Sequence, residues 1–330
     1  MISAVYAAIA RRRREWYAAR PHARRRLRHP VISIGNIAAG GRGKTPFTAT
    51  IARLLLDMGE RPAILSRGYG RTDPVEGAVV VRDAQGIRAD LARSGDEPFM
   101  LARQLEGAIV MSGADRYLSG RLAEHHLGAT VHLLDDGFQH FALDRDLDIV
   151  LVSAADLNGA KTLPAGRLRE PADVLIAADA IVCTDLDTTI SVPDIPVFRA
   201  VRTIGEVVFD DTGPPPPSAG ATVLAIAGIA NPAPFFEALT QAGWQAGATM
   251  TFRDHHPYTA EDVARFASAT TAAGGAAVIT TEKDYVRLLP YRPFPLAIGW
   301  LPLTITAEPD GDFRRWLAVE VGAARDTVIG

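Results

Sequence analysis

The chain has 330 residues, 48% hydrophobic and 22% charged, with a net charge of -3. That is globular composition, with length for one large or two medium domains, and the slightly acidic balance argues against a wholesale nucleic-acid binder. The single cysteine, Cys183, makes no internal disulfide and reads as a small buried hydrophobe in DAIVCTD; no apolar run reaches the roughly 18 residues of a spanning helix.

In chain order, MISAVYAAIA is apolar, and RRRREWYAARPHARRRLRH after it holds nine arginines and one glutamate. A signal peptide carries its charge before its apolar part, so this order is wrong for one. Three readings of residues 1–30 stand side by side: an interfacial helix with its apolar end in lipid and arginines on anionic headgroups, an organellar transit peptide, or a solvated basic helix.

Residues 31 to 34 read as a buried strand and 46 to 58 as a helix ending near Gly59. RPAILSRGYGR gives a strand running into a Gly- and Arg-rich loop, and GAVVVRD a strand that suits a sheet edge. DEPFMLARQLEG is a helix with an acidic first turn, which suits the positive end of its dipole. AIVMSG, TVHLLDDGFQH, LDIVLVSA and DAIVCTD add strands, with the helix DRYLSGRLAEHHLG between the first two. Strands alternating with helices predict an α/β fold with a doubly wound parallel sheet, whose ligands sit at the carboxyl ends of the strands.

The texture changes after about residue 194. VFRAVRTIGEVVFDD alternates like a two-stranded ribbon, and TGPPPPSAG reads as a stiff linker. ATVLAIAGIANPAPFFEAL and GAAVITTEKDYVRL then restart strand-loop-helix. The expected organisation is a basic N-terminal helix in 1–30 and a P-loop domain in 31–194. A two-stranded, proline-rich linker in 195–218 then leads to a second, smaller α/β domain in 219–330.

The stretch GNIAAGGRGKTP stands between the first strand and its helix. The spacing G-x-x-x-x-G-K-[ST] asks for glycine at 38, and Ala38 is there instead, a mild departure because the position needs a small residue. Consecutive backbone amides and a helix N-terminus would face phosphates. Candidate nucleotide-binding residues are Asn36, Gly40, Gly41, Arg42, Gly43, Lys44 and Thr45, with Lys44 on the β- and γ-phosphates of ATP and the Thr45 hydroxyl on Mg²⁺. Asp135 and Asp136, at the tip of the strand VHLLDD, supply metal-side acids beside Thr45. The loop does not name the acceptor, since an ATPase, a GTPase and a small-molecule kinase share these parts. Ala39, where dimerising ATPases of the K-G-G-x-G-K-T type carry lysine, disfavours that subclass.

Transfer to a hydroxyl needs a base. Asp96 and Glu97 stand at a helix start, where Asp96 also suits an N-cap; Asp254, His255 and His256 lie in the second domain, where Asp254 also suits a cap for the following helix. An Asp–His pair across the interdomain cleft would orient and tune the base. Adjacent histidines rarely address one ion, so no metal is expected on His255 and His256. LPAGRLREP brings Arg167, Arg169 and Glu170 in a Gly/Pro loop, and TTEKD brings Thr281 to Asp284 to a strand end.

Taken in order, GNIAAGGRGKTP, SRGYGR, GDEPFML, DDGFQH, LPAGRLREP, FRDHHPYT and TTEKD resemble the tetraacyldisaccharide 4'-kinase family, the lipid A 4'-kinases of Gram-negative bacteria. The resemblance implies ATP-dependent, Mg²⁺-assisted phosphorylation of the 4'-hydroxyl of an acylated disaccharide 1-phosphate lipid. It implies a peripheral, monotopic enzyme on the cytoplasmic face of the inner membrane, held to that surface by the N-terminal basic helix, and no nucleic-acid partner. Residue by residue, it implies Lys44 and Thr45 in the P-loop roles, Asp135 and Asp136 at the metal, Asp96 as base assisted by His255, and Glu170 at the active site. Arg42 departs from the family's loop, which commonly has threonine there. The rival readings are a P-loop NTPase switch or metallochaperone, which the lone cysteine and the basic helix disfavour, and a nucleic-acid-binding ATPase, which lacks aromatic interleaving.

Overall fold

A computed structural model describes residues 2–40, 43–73, 75–185 and 190–329. Its elements in chain order are α1 (Ile2–Ala18), β1 (Val31–Asn36), α2 (Lys44–Asp57), β2 (Pro62–Ser66), β3 (Ala78–Asp83), β4 (Gly86–Ile87), α3 (Leu91–Ser94), α4 (Asp96–Gln104) and β5 (Ile109–Gly113). There follow α5 (Arg116–Leu122), β6 (Val131–Asp135), β7 (Leu147–Val152), α6 (Ala154–Leu157), β8 (Ala180–Cys183), β9 (Val197–Ile204), β10 (Val208–Phe209), β11 (Thr222–Ala227) and α7 (Ala233–Gln241). The last are β12 (Gln245–Thr251), α8 (Ala260–Ala272), β13 (Ala277–Thr281), α9 (Glu282–Leu288), β14 (Ile298–Leu301), β15 (Leu303–Glu308) and α10 (Asp310–Ile329).

The chain divides into two compact units, Met1–Val201 with Ile305–Gly330, and Arg202–Thr304. The first holds a sheet of order β15-β9-β8-β7-β1-β6-β2-β5-β3-β4. β1 lies at its middle, parallel to β6 on one side and β7 on the other. All six β1 residues are buried, as a strand covered on both faces requires, and Val31, Ile32 and Ile34 supply the β-branched side chains that favour it. The connection order reverses across β1, so the crevice for a ligand opens at its carboxyl end. β3 runs antiparallel to β5, and the short β4 forms the edge beyond it.

In the second unit the order is β10-β14-β13-β11-β12, parallel throughout except for β10. Its core gathers Leu224, Ile226, Phe266, Val278, Tyr285 and Ile298. α8 starts on a reciprocal cap between Thr259 and Asp262, so Thr259, and not Asp254, closes its first turn, which contributes about 1 kcal/mol.

Two expectations change. The alternating stretch 197–210 is not one ribbon: β9 neighbours β8 and β15, while β10 pairs with β14. Alternation in β9, with Phe198 and Ala200 buried, records a one-sided strand and says nothing of its partner. Residues 305–330, expected in the smaller domain, belong to the first unit. The reason is the apolar row Phe313, Leu317, Val321 and Ala324 of α10, which is buried there, with the Phe313 ring 4.9 Å from Phe198 and 5.9 Å from Phe47.

Candidate active site

β1 ends at Asn36 and α2 starts at Lys44, so the loop between them crosses the mouth of the crevice. Gly41 and Arg42 lie outside the described residues. Gly43 precedes α2 with φ 78°, a left-handed backbone that favours glycine, and a Cβ there would come 2.1 Å from the terminal methyl of Ile305, which would have to turn aside. Ala38 is fully buried and bridges to Leu168. Ala39 N–H donates to Arg167 O at 2.7 Å and Arg169 N–H to Ile37 O at 2.7 Å. The LPAGRLREP loop is therefore laced to the start of the phosphate loop, and the small residue at 38 is what lets it approach.

The two acids after β6 divide their work. Asp135 stands in register with Ile34 of β1 and is buried. Its carboxylate accepts the Thr45 hydroxyl at 3.1 Å and the Thr48 hydroxyl at 3.2 Å. Burial, then the nearby carboxylates Glu97 and Asp136, push Asp135 up to about 7, against the pull of Lys44. Asp136, at φ 58°, turns toward cations instead. Lys44 Nζ is 3.5 Å from it, and Arg169 Nη1 donates to both its oxygens at 2.8 and 2.9 Å. Burial raises its carboxyl, but Lys44 and Arg169 outweigh that and hold it below the usual range.

Asp96 is the first residue of α4, follows Gly95 at φ 85°, and is buried. Its Oδ1 accepts the Glu97 amide at 3.0 Å, so its carboxylate sits on the helix N-terminus without being the cap itself. Gly70 of the SRGYGR loop lies beside it: a Cβ on Gly70 would stand 3.5 Å from Asp96 Oδ1. That loop, Arg67 to Arg71 with Ala114, lines an open cavity of about 250 Å³. Arg116 is buried next to it and donates to Gly113 O at 3.0 Å. Burial, with Arg67 and Arg71, pushes its guanidinium down to about 10, while Asp135 and Asp136 pull the other way. His140, pushed down to about 4 by burial and by Arg116 and Arg145, is neutral at physiological pH. Carboxylates thus face the phosphate loop, and guanidinium groups line the adjoining cavity.

Glu170, from the same loop as Arg169, is buried and does not face the crevice alone. Arg14 of α1 grips it with both ends of its fork, Nε to Oε1 and Nη2 to Oε2, each at 2.9 Å. The Gln139 amide donates to Glu170 Oε2 and to Asn36 O, both at 3.0 Å. α1 is held further by Ser3, whose carbonyl accepts Thr162 Oγ1 and whose hydroxyl accepts the Ala165 amide, and by Arg11 on Asp173. Its outer face leaves Ile2, Val5, Ile9 and Trp16 exposed, at a spacing that keeps them on one side. No helix among the described residues is long and apolar enough to cross a membrane.

In the second unit His255 has φ 57° and sits between cations: Lys283 Nζ is 3.1 Å from its Nε2 and Arg287 Nη2 3.4 Å from its Nδ1. Asp254 accepts the His255 amide at 3.0 Å, and the buried Asp284 fixes Arg287 at 2.9 Å. His256 turns away to Asp262. Sequence reasoning missed Arg14, Thr48, Arg116 and the bridging role of Gln139. Gln139 lies in the quoted DDGFQH string; Arg14 carries no local signal because its partner Glu170 is distant in sequence, and Arg116 bonds nearby carbonyls while the charges around it, Arg67, Arg71, Asp135 and Asp136, come from other segments.

The family model for tetraacyldisaccharide-1-P 4'-kinase matches residues 1–321. This chain belongs to that family. The tetraacyldisaccharide 4'-kinase of Geobacter metallireducens is 42% identical over 298 residues, 88% of either chain. That of Koribacter versatilis is 40% identical over 269 residues, 80% of each. Among solved structures, the LpxK of Aquifex aeolicus, described as an "apo" form in complex with ATP, superposes with a TM-score of 0.79 at 29% identity over 97% of both chains.

Proposed function

We propose that this protein is an ATP-dependent kinase that phosphorylates the 4'-hydroxyl of a tetraacylated disaccharide 1-phosphate in lipid A biosynthesis. One observation carries the reading most directly: Lys44, Thr45, Asp135 and Asp136 meet at the carboxyl ends of β1 and β6, with the SRGYGR loop carrying Gly70 against buried Asp96. In this assignment the α2 N-terminus and Lys44 hold the β- and γ-phosphates. Asp136 keeps Lys44 extended across the mouth of the site until phosphate takes its place. Asp96 accepts the proton of the attacking hydroxyl. The arginines at 67, 71 and 116 suit an anionic acceptor.

Mg²⁺ fits the residues present. Thr45 Oγ1 and Asp135 form a compact oxygen pair, and Asn36 Oδ1 and Gln139 Oε1 are buried acceptors with no partner among the described residues, suited to a cation that keeps its waters. When bound, the ion neutralises charge on the β- and γ-phosphates. The exposed row on α1, followed by its arginines, suits the cytoplasmic surface of an inner membrane, where an acylated acceptor resides.

The deciding experiment incubates the protein with γ-labelled ATP, Mg²⁺ and detergent-dispersed tetraacyldisaccharide 1-phosphate. Label in the lipid, absent with Lys44→Ala, is the expected result. Label only in free phosphate would favour an NTPase switch.

A further inference from the structure

We propose that Arg14 is a positioning residue for the nucleotide site, so that α1 is a working part of the phosphoryl-transfer centre and not an anchor alone. The inference rests on the kinase reading above for its substrate, and on geometry for its mechanism.

Arg14 makes more contacts to the DDGFQH turn and its neighbours than docking a helix needs. Besides its two bonds to Glu170, its guanidinium lies 4.4 Å from the centre of the Phe138 ring and 4.8 Å from that of Phe141. Phe138 in turn sits against β1 so tightly that a Cβ on Gly35 would meet Phe138 Cβ at 2.4 Å. Gln139, the next residue, ties Glu170 to Asn36 O at the last position of β1. One side chain of the N-terminal helix therefore braces both the exit of β1 and the turn that presents Asp136 to Lys44.

The energetics favour a specific role. Glu170 is 2% exposed, and a carboxylate buried that deeply is costly once its partner is removed. Without Arg14 it must draw in water or lean on its remaining donor, the Gln139 amide, whose other bond holds Asn36 O. Loss of Arg14 thus pulls on the phosphate loop, and also removes the cation stacked on Phe138.

The test uses the full-length protein with Arg14→Gln, and reads mant-ATP affinity with Mg²⁺, backbone amide exchange over 136–141 without nucleotide, and binding to anionic phospholipid vesicles. The expected result is affinity weaker by about 5- to 30-fold and faster exchange over 136–141, with vesicle binding unchanged. Arg14→Lys, which keeps charge but not the fork, is expected to recover affinity only in part. If Arg14→Gln does not fold, Glu170→Gln carries the same test with α1 intact. Unchanged affinity and exchange, or a lower melting temperature with normal affinity in the folded protein, would overturn the proposal. Neither readout needs the lipid acceptor, so a wild type that leaves the lipid unlabelled would sink the kinase assignment and leave this proposal standing.

Discussion

The Thr45 hydroxyl donates to Asp135 across 3.1 Å, joining the first turn of α2 to the end of β6. Thr48, one turn further along the same helix, takes the other carboxylate oxygen at 3.2 Å. The carboxylate is thereby aimed at the phosphate loop before any ligand arrives, which lowers the cost of ordering it later.

Lys44→Ala removes the one cation of α2 that faces Asp136. Turnover is expected to fall by about 10²- to 10⁴-fold, with circular dichroism and melting temperature close to wild type. Near-normal label transfer would remove Lys44 from the mechanism.

Asp96→Asn keeps the shape of the α4 start and the acceptor for the Glu97 amide, and loses the base. A drop in kcat of about 10²- to 10⁴-fold, with KM for ATP little changed, is the expected pattern. A rise in KM for ATP at constant kcat would assign Asp96 to nucleotide binding instead.

Asp135 makes stability depend on pH in an identifiable direction. Burial and the neighbouring carboxylates push its carboxyl up to about 7 in the folded protein, from an ordinary 3.8. Between those values the folded state keeps a proton that the unfolded state has released, so this group's contribution falls as pH rises through the window. Asp135→Asn is therefore expected to be more stable than wild type at pH 8, by about 1–3 kcal/mol, with the gain vanishing toward pH 4. Thermal melts of nucleotide-free protein across this range check it; a gain that grows toward acid pH would contradict the assigned cause. Activity is expected to be lost at every pH.

Gly35→Ala forces a methyl against Phe138, whose Cβ would be 2.4 Å away. The expected cost is about 1–3 kcal/mol together with weaker mant-ATP binding. Gly322→Ala, in α10 with open space around it, is expected to be neutral or slightly stabilising, and serves as the control in the same melts.

Ile9→Glu places a charge in the exposed row of α1, where Ile9 is 63% exposed. Stability is expected to change by no more than about 0.5 kcal/mol. Binding to anionic vesicles is expected to fall sharply and to lose more on added salt in wild type than on neutral vesicles. Unaltered co-sedimentation would remove this face from the membrane assignment.

Local patterns carried most of the first unit. Val31 to Ile34 announced a buried strand, the GRGKTP run announced a helix start, and Leu133-Leu134 before two aspartates placed acids at a strand tip, all within a few residues. Pairings across long separations were not legible. β9 needed β15 beside it, and nothing in the alternation of 197–204 names a partner beyond residue 300. Glu170 resembled an active-site acid because its loop did; only the fold brings Arg14 onto it across more than 150 positions. Asp254 resembled a cap until Thr259 took that role with Asp262. Asp135 and Asp136 were inseparable as neighbours in sequence, and a left-handed backbone at Asp136 is what sends them to different partners.

The return of β15 to β9 also governs the order in which the polypeptide can be completed as it leaves the ribosome. All of Arg202–Thr304 must be synthesised before β9 receives its outer neighbour. The smaller unit, whose strands are contiguous, can close by then, while the larger one carries a bare strand edge, the kind of surface that invites pairing with other chains. β15 with α10, made after the smaller unit, is a seal: it covers that edge and sets Ile305 against Gly43, so the phosphate loop acquires this wall only when those residues arrive.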